Sequence, residues 1–320
     1  MINQLGDASI LSVDTTGYAR RWLSVTLRFI HCVLTCEAIV VLLSRGGRRA
    51  LFPLLYVAVR LRRTRVYHSL IGGALVQDIE ESPRLLTYLN AFEINWVESE
   101  GLAAELRTLG VRNACYLPNA KEIAKITPTE LQDYDAPPHR FCTLSRVTRE
   151  KGIPDAAAAI RMLNAKGTAA TLDVIGPVGE DFSKEFSAIL DENPYVRYLG
   201  VVPPENAAAV LNGYFAIVFP TRWRGEGVPG SIIDALAAGV PIISYRWRFH
   251  DEMLTEGITG FSTSPGNVAG LARLLERLTA QTRTERNLMR LNCLAKARDY
   301  APDVIVARML DDMNLTGERP

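Results

Sequence analysis

The sequence predicts an α/β protein with two domains, each built around a doubly wound parallel sheet. In the second half, strand-like apolar runs alternate with helical segments, and the runs are too uniformly apolar for a sheet with one face in water. The first half repeats this alternation less regularly. A length of 320 residues suits two domains of ordinary size, and 48% hydrophobic with 22% charged residues is a typical globular composition.

The first half is expected to carry five strands and four helices before a proline-containing linker. The expected strands are 9–14, 38–43, 65–69, 93–97 and 113–117. The expected helices are 20–34, 50–61, 82–89 and 101–109. Pro128, Pro137 and Pro138 stand among polar residues in 126–139, which we interpret as the interdomain linker.

The second half is expected to carry five further strands and seven helices. The expected strands are 140–145, 171–175, 196–199, 215–220 and 241–244. The expected helices are 154–165, 181–191, one opened by residues 203–205, 231–238, 268–279, 286–299 and 302–314.

Charge is distributed unevenly along the chain. Residues 1–68 contain ten arginines and no lysine against three acidic residues, a formal charge of +7, which leaves −6 on the remaining residues. This pattern is typical either of contact with an anionic partner such as a membrane surface or of a solvated basic face. Arg28, His31 and Glu37 interrupt the apolar stretch 22–43, so we do not expect it to span a membrane.

The five cysteines suggest neither a disulfide framework nor a metal site. Their number is odd, their positions are scattered, and no partner set of His or Cys has metal-ligand spacing. We expect reduced thiols in a reducing cytosol.

The most informative segment is 219–243, which runs from an apolar strand through a glycine-rich loop and a helix into a second strand. Glu226 lies in the loop and Asp234 lies about one turn inside the helix. Between them, Gly230 and Ser231 offer backbone N–H groups at the helix N-terminus, where anions are stabilised. Amides for phosphate and carboxylates for hydroxyls together suit a nucleotide-sugar.

This segment resembles the Glu-x7-Glu signature of the retaining glycosyltransferases of family 4, with Asp234 in place of the second Glu. Residues 143–152 resemble the Arg-x4-Lys element of the same family, which gives Arg146 and Lys151. Further landmarks in matching order cover roughly residues 66–265 and are similar to the polysaccharide-assembly branch. These landmarks are 71–75, 98–99, 117–121, 239–243, 247–252 and 257–261.

The resemblance implies the GT-B fold, in which two Rossmann-like domains face a cleft. We therefore expect an acceptor-side N-terminal domain at 1–135, a nucleotide-sugar-binding domain at 136–301, and a helix in 302–320 that crosses back to the first domain. The family's usual first strand, glycine-rich loop and helix have no counterpart ahead of the strand expected at 9–14, so the first βα unit is expected to be missing.

The resemblance also implies a role for each site residue. Arg146 and Lys151 would clamp the donor diphosphate and act in catalysis, a function that fixed cations can perform without a metal. The donor diphosphate is expected to bind Arg146, Lys151, Gly230 and Ser231, and the transferred sugar is expected to bind the catalytic Glu226 together with Gly227 and Val228. Asp234 is expected to bind the ribose, and Gly72 and Gly73 are expected on the acceptor side.

We expect a glycosyltransferase that moves a sugar, with retention of configuration, from a nucleoside diphosphate (NDP)-sugar to a glycan or polyprenyl-diphosphate-linked acceptor. No metal, separate cofactor or nucleic acid partner is expected, and the expected location is the cytoplasm or the inner face of the membrane. A non-catalytic sugar-nucleotide-binding scaffold is the main alternative. A remote one is an NADP-dependent oxidoreductase, because residues 225–230 also match Gly-x-Gly-x-x-Gly.

The remaining candidates are ambiguous from sequence. His68 falls inside an expected strand and is interpreted as a structural histidine. Trp223 and Trp247 fit either a sugar pocket or the core.

Overall fold

A computed structural model describes residues 11–14, 18–43, 45–70, 75–122, 126–131 and 136–315, without the side chains of 18–20. The described residues form two parallel sheets flanked by helices. The strands are β1 Ala38–Leu42, β2 Arg65–Leu70, β3 Ile94–Val97, β4 Ala114–Tyr116, β5 His139–Leu144, β6 Ala170–Ile175, β7 Val196–Gly200, β8 Ala216–Phe219, β9 Ile242–Tyr245 and β10 Gly260–Thr263.

Helices connect almost every pair of consecutive strands, as parallel pairing requires. They are α1 Tyr18–Thr35, α2 Arg45–Arg62, α3 Leu75–Glu81, α4 Arg84–Leu89, α5 Glu100–Thr108, α6 Ile153–Ala165, α7 Ser183–Glu192, α8 Ala207–Leu211, α9 Gly230–Ala237, α10 His250–Met253, α11 Val268–Thr279, α12 Arg283–Ala297 and α13 Pro302–Asp312. None of the helices in the described chain is long and apolar enough to cross a bilayer.

The first compact unit comprises Met1–Asn119 and Ile305–Pro320. Its four strands pair in chain order, β1-β2-β3-β4, all parallel. Trp96 of β3 stacks on Tyr67 of β2 with ring centroids 5.5 Å apart. Apolar residues of α13, including Ile305 and Met309, join the same core cluster. The Trp96 indole N–H donates to Asp312 at 2.6 Å, so α13 is held by both packing and a hydrogen bond.

The second compact unit is Ala120–Val304, and its six strands follow the order β10-β9-β8-β5-β6-β7. Counted within this unit, the order is the doubly wound 3-2-1-4-5-6 arrangement, which reverses direction between β5 and β8. Ligands in such sheets bind beyond the carboxyl ends of the strands at this reversal. The loops that follow β5 and β8 are therefore the ones to examine for function.

The element predictions differ from the structure in four places. The strand expected at 9–14 is wrong for Leu11–Asp14, which have no regular secondary structure, while residues 9 and 10 lie outside the described residues. Three elements have no counterpart among the predictions, α3, α10 and β10. The edge strand β10 escapes sequence reasoning because it is only four residues long and ends in partly exposed Ser262 and Thr263, so it shows no apolar run.

Candidate functional site

The loops after β5 and β8 are in direct contact at the reversal point of the second sheet. Arg222 N–H donates to Glu150 C=O at 2.7 Å. Gly152 has φ +74°, and a Cβ at this position would lie 2.0 Å from the carbonyl oxygen of Pro220. Only glycine allows this approach, so Gly152 sets how closely the two loops pack.

Lys151 and Glu226 form a largely buried ion pair between these loops. Their Nζ and Oε2 atoms are 2.5 Å apart, and the side chains are only 12% and 10% exposed. Thr221 Oγ1 also donates to Glu226 Oε2, at 2.7 Å. The neighbouring Arg222 does not take part in this pair and is bonded to Asp155 instead. The structure thus brings Lys151, which is predicted to bind the donor phosphate, into contact with Glu226, which is predicted to bind the sugar.

Arg146 lies at the exposed end of the β5 loop, beside a cavity of about 290 Å³. The cavity is also lined by Lys151, by residues 177–179 after β6, and by Trp223. The Arg146 guanidinium lies 6.0 Å from the centroid of the Trp223 ring, within range of a cation–π interaction. Arg146 and Lys151 give the cavity two cations that can contact an anionic group, and the lining also includes two acidic residues, Glu150 and Asp181.

Asp234 is the buried carboxylate of an otherwise apolar helix, α9. Its Oδ2 accepts from Lys121 Nζ at 2.5 Å. Burial raises the pKa of Asp234 above its usual value, and the nearby Lys121 opposes that rise. Lys121 also lies 3.7 Å from where a Cβ on Gly230 would be, so its charge stands at the start of α9.

Lys121 is the site residue that sequence reasoning missed. In the sequence, Lys121 stands out only as the last residue of the landmark 117–121, and no local pattern connects it to α9. The available signal was indirect, because a buried carboxylate among apolar residues requires a cationic or hydrogen-bonding partner.

The other predicted residues that the structure describes lie in or near these loops. Gly230 and Ser231 form the first turn of α9, where backbone N–H groups lack helical partners. The Gly227 carbonyl accepts from the Trp247 indole at 3.0 Å, and the Val228 side chain packs into the core. Gly72 and Gly73 lie outside the described residues.

The two ambiguous tryptophans have different environments. Trp247 is 8% exposed and belongs to a core cluster of the second unit, whereas Trp223 is 46% exposed on the cavity wall. His68, in the first unit, is fully buried, and its Nδ1 lies 3.2 Å from Asn95 Oδ1. Burial lowers its pKa to about 4, so His68 is neutral at pH 7, as expected of a structural histidine.

The geometry does not favour a dinucleotide site at residues 225–230. In a dinucleotide-binding domain the glycine fingerprint follows the first strand of the sheet. Here it follows β8, the fourth strand of its unit, after a long loop that begins at Pro220. The Glu226 carboxylate, moreover, lies inside this fingerprint.

Sequence comparison identifies a known family in the second unit. Residues 132–292, just over half of the chain, match the family described as Glycosyl transferases group 1. The amylovoran biosynthesis glycosyltransferase AmsK of Erwinia amylovora is 26% identical over 156 residues, which cover 47% of this chain and 38% of AmsK. The capsular polysaccharide biosynthesis glycosyltransferase CapM of Staphylococcus aureus is 28% identical over 137 residues, which cover 42% of this chain and 35% of CapM. The matched regions are well under half of these relatives.

Structural comparison extends over both units. The Anabaena protein Alr3699/HepE, solved with UDP, aligns at a TM-score of 0.69 and 16% identity over 90% of this chain and 82% of that chain. The apo lipopolysaccharide outer core galactosyltransferase WaaB aligns at 0.68 and 14% identity over 95% and 82%. Identities this low concern the fold alone, and together with the two parallel sheets they confirm the predicted GT-B fold. The family match covers the loops that carry Arg146, Lys151 and Glu226, and the chain belongs to the Glycosyl transferases group 1 family.

Proposed function

We propose that this chain transfers a sugar from an NDP-sugar donor to a glycan or lipid-linked acceptor, with retention of configuration, as family 4 enzymes do. The observation that carries the proposal is the Lys151–Glu226 pair beside Arg146 at the reversal point of the second sheet. Family membership supports the activity. A structural neighbour solved with UDP-glucose supports a nucleotide-sugar as the donor class.

In this proposal the cavity beside Arg146 receives the donor diphosphate. Arg146 and Lys151 stabilise the negative charge that develops on the diphosphate as the glycosidic bond breaks, and the N–H groups of Gly230 and Ser231 add donors. Because Lys151 already contacts Glu226, one cation positions both the leaving group and the sugar-binding carboxylate. The proposed chemistry uses no metal.

Two carboxylates would orient the rest of the donor. Asp234 accepts hydrogen bonds from the ribose hydroxyls. When the ribose binds, the Lys121 side chain leaves Asp234 or turns towards the phosphate. Glu226 meets hydroxyls of the transferred sugar, next to the backbone of Gly227 and Val228. A carboxylate can accept two hydroxyls at once, which fixes orientation as well as affinity.

Transfer would proceed on one face of the sugar. The bond from the anomeric carbon to the diphosphate oxygen breaks, and the acceptor hydroxyl oxygen bonds to the same carbon. The acceptor's proton passes to the departing diphosphate oxygen. We assign the donor side to the domain 136–301, and the acceptor side to the N-terminal domain 1–135 with Gly72 and Gly73.

A thermal-shift screen against UDP, GDP, ADP, CMP and NADP tests the donor site. One nucleoside diphosphate should stabilise the protein by about 2.7 kcal/mol at a hundredfold excess over its Kd, because it binds only the folded state. Lys151→Ala should lose this shift. Lys166→Ala is the matched control, since Lys166 also pairs with a glutamate at 2.5 Å, but at the surface. A shift with NADP alone would contradict the proposal.

Turnover separates an enzyme from a scaffold. The purified protein, given the nucleotide-sugar that binds best and a set of glycan and lipid-linked acceptors, should release nucleoside diphosphate in an acceptor-dependent manner. Donor binding with no release, for any acceptor, would instead favour the sugar-nucleotide-binding scaffold.

We also propose that the first unit docks on an anionic membrane surface, on the cytoplasmic face. Leu23, Leu27, Ile30 and Leu34 are all exposed on α1, at spacings that place them on one face. The opposite face of α1 carries the buried residues Val25 and Cys32. An apolar stripe in a region of net charge +7 is complementary to anionic lipid.

Vesicle flotation tests this contact with a matched pair of variants. Leu27 on α1 and Leu288 on α12 are 59% and 60% exposed, so Leu27→Glu and Leu288→Glu make equivalent surface changes in different units. Binding to phosphatidylglycerol vesicles should exceed binding to phosphatidylcholine vesicles and should be lost only in Leu27→Glu. A dimer in light scattering that only Leu27→Glu disrupts, without vesicle binding, would show that the stripe binds a second copy.

A further inference from the structure

A second cavity, of about 420 Å³, opens beside the donor loop at the carboxyl edge of the second sheet. It lies between the loop after β8 and the loop after β9, with Pro265 and Gly266 at one side. Four arginines and two tryptophans dominate its lining, and no lining residue in the described chain is acidic. These six are Arg222, Trp223, Arg224, Arg246, Trp247 and Arg248.

Two of the four arginines, Arg224 and Arg246, make no ion pair with the residues that the structure describes that would neutralise them at the cavity. Arg224 makes no hydrogen bond or ion pair with any residue of the described chain. Arg246 Nε donates to the neutral hydroxyl of Ser262 at 3.2 Å, and it lies near the exposed carboxylate of Asp251. Arg222, by contrast, is held by Asp155, with Nε and Nη2 at 3.0 and 2.5 Å from Oδ2. The guanidinium groups of Arg224 and Arg246 thus retain the capacity to bind a further anion.

Trp223 lines both this cavity and the one beside Arg146. Its half-exposed ring offers a flat apolar surface of the kind that packs against a sugar ring. Trp247 is held in place by its hydrogen bond to Gly227 and by edge-on contact with His250. A ligand in the second cavity would therefore lie next to the donor loop, one indole ring away from the diphosphate cations.

We propose that the second cavity binds an anionic sugar residue, one that carries a carboxylate or a phosphate. This inference rests on the proposed glycosyltransferase function and specifies its substrate class. Guanidinium groups bind carboxylates and phosphates through paired hydrogen bonds that opposite charge strengthens, and the hydroxyls of a neutral sugar have no such charge. The anionic residue belongs either to the donor sugar or to the acceptor glycan.

Titration calorimetry at fixed ionic strength tests the proposal in two arms. The donor arm compares UDP-glucuronic acid with UDP-glucose, and the acceptor arm compares tetragalacturonate with maltotetraose. In at least one arm the anionic ligand should bind about tenfold or more tightly than its neutral counterpart. The arm with the preference identifies the source of the anionic residue.

Two variants locate the preference in the cavity. Arg224→Gln and Arg246→Gln should each reduce it about tenfold and leave the thermal shift with UDP unchanged. Arg273→Gln, at an exposed arginine of α11, is the control and should have no effect. Equal binding of anionic and neutral ligands in both arms would overturn the inference, as would equal effects of all three variants. Absence of a thermal shift with every nucleoside diphosphate, in the unsubstituted protein, would instead remove the donor site, and with it the proposed function.

Discussion

Replacing Lys151 with methionine tests whether the Lys151–Glu226 pair is an electrostatic link shielded from water. Removing one partner of a buried ion pair costs about 3–5 kcal/mol, because the other charge remains in a poorly solvated site. Thr221 would still donate to Glu226 at 2.7 Å, so we expect the lower end of this range. A loss of about 3 kcal/mol lowers the melting temperature of a unit of 150–250 residues by roughly 6–12 °C.

Urea unfolding of Lys151→Met, Glu226→Gln and the double variant measures the coupling directly. The double variant should be close to the unsubstituted protein, so the coupling free energy should be about the sum of the two single losses, at least about 3 kcal/mol. Lys166→Met is the control, since Lys166 and Glu276 are equally close but 49% and 43% exposed, and should cost less than about 1 kcal/mol. Additive losses below about 1 kcal/mol at both Lys151 and Glu226 would refute the reasoning.

Three further predictions concern burial and close packing. Asp234→Asn should leave the ligand-free protein as stable as before, or up to about 1 kcal/mol more stable, because a carboxylate whose pKa is raised by burial destabilises the fold at neutral pH. The same variant should lose its thermal shift with nucleoside diphosphate, and a retained shift would contradict the proposal that Asp234 binds the ribose. His68, with a pKa lowered to about 4, is neutral in the folded state, so the unfolded state binds the extra proton between pH 6.5 and 4. Stability, measured by urea unfolding with tryptophan fluorescence, should therefore fall by about 3 kcal/mol as the pH drops through this window, and His68→Gln should flatten this dependence on pH. Gly152→Ala should lower stability by about 3 kcal/mol or more and abolish nucleotide binding, because its Cβ would overlap Pro220. Gly167→Ala is the control for circular dichroism melts and should cost only about 1 kcal/mol, because Gly167 also has a positive φ, +90°, but has open space around it. Equal costs for the two variants would show that the two loops can separate.

Much of the second unit could be predicted because its signals are local. Mainly apolar runs identify β5, β6, β8 and β9 as buried parallel strands. Helix α6 begins with Pro154 and Asp155 in its first turn and is followed by Gly167 at φ +90°, signals that depend only on neighbouring residues. The carboxyl ends of these strands then indicate which loops carry function.

The first unit was harder to predict because its apolar residues do not all face a core. Leu27 of α1 and Leu42 of β1 are exposed, although both stand in apolar runs that resemble buried elements. A pattern of apolar residues shows which side chains avoid water and not which surface covers them. The same limitation left the tryptophans ambiguous, since Trp223 and Trp247 differ in exposure and not in local sequence.

The sequence by itself determined most of the element types, because helix and strand patterns and turn residues act over a few positions. Its resemblance to a known family predicted the GT-B fold and the loops around Arg146, Lys151 and Glu226. Only the tertiary structure decided the partners. Lys151 reaches Glu226 across 75 positions and Lys121 reaches Asp234 across 113, and no sequence pattern encodes either pair. The first contact exists because β5 and β8 are neighbours in the sheet, and the second because the chain returns to the start of α9. Such pairs depend on which strands and helices pack together, and packing is a property of the whole fold.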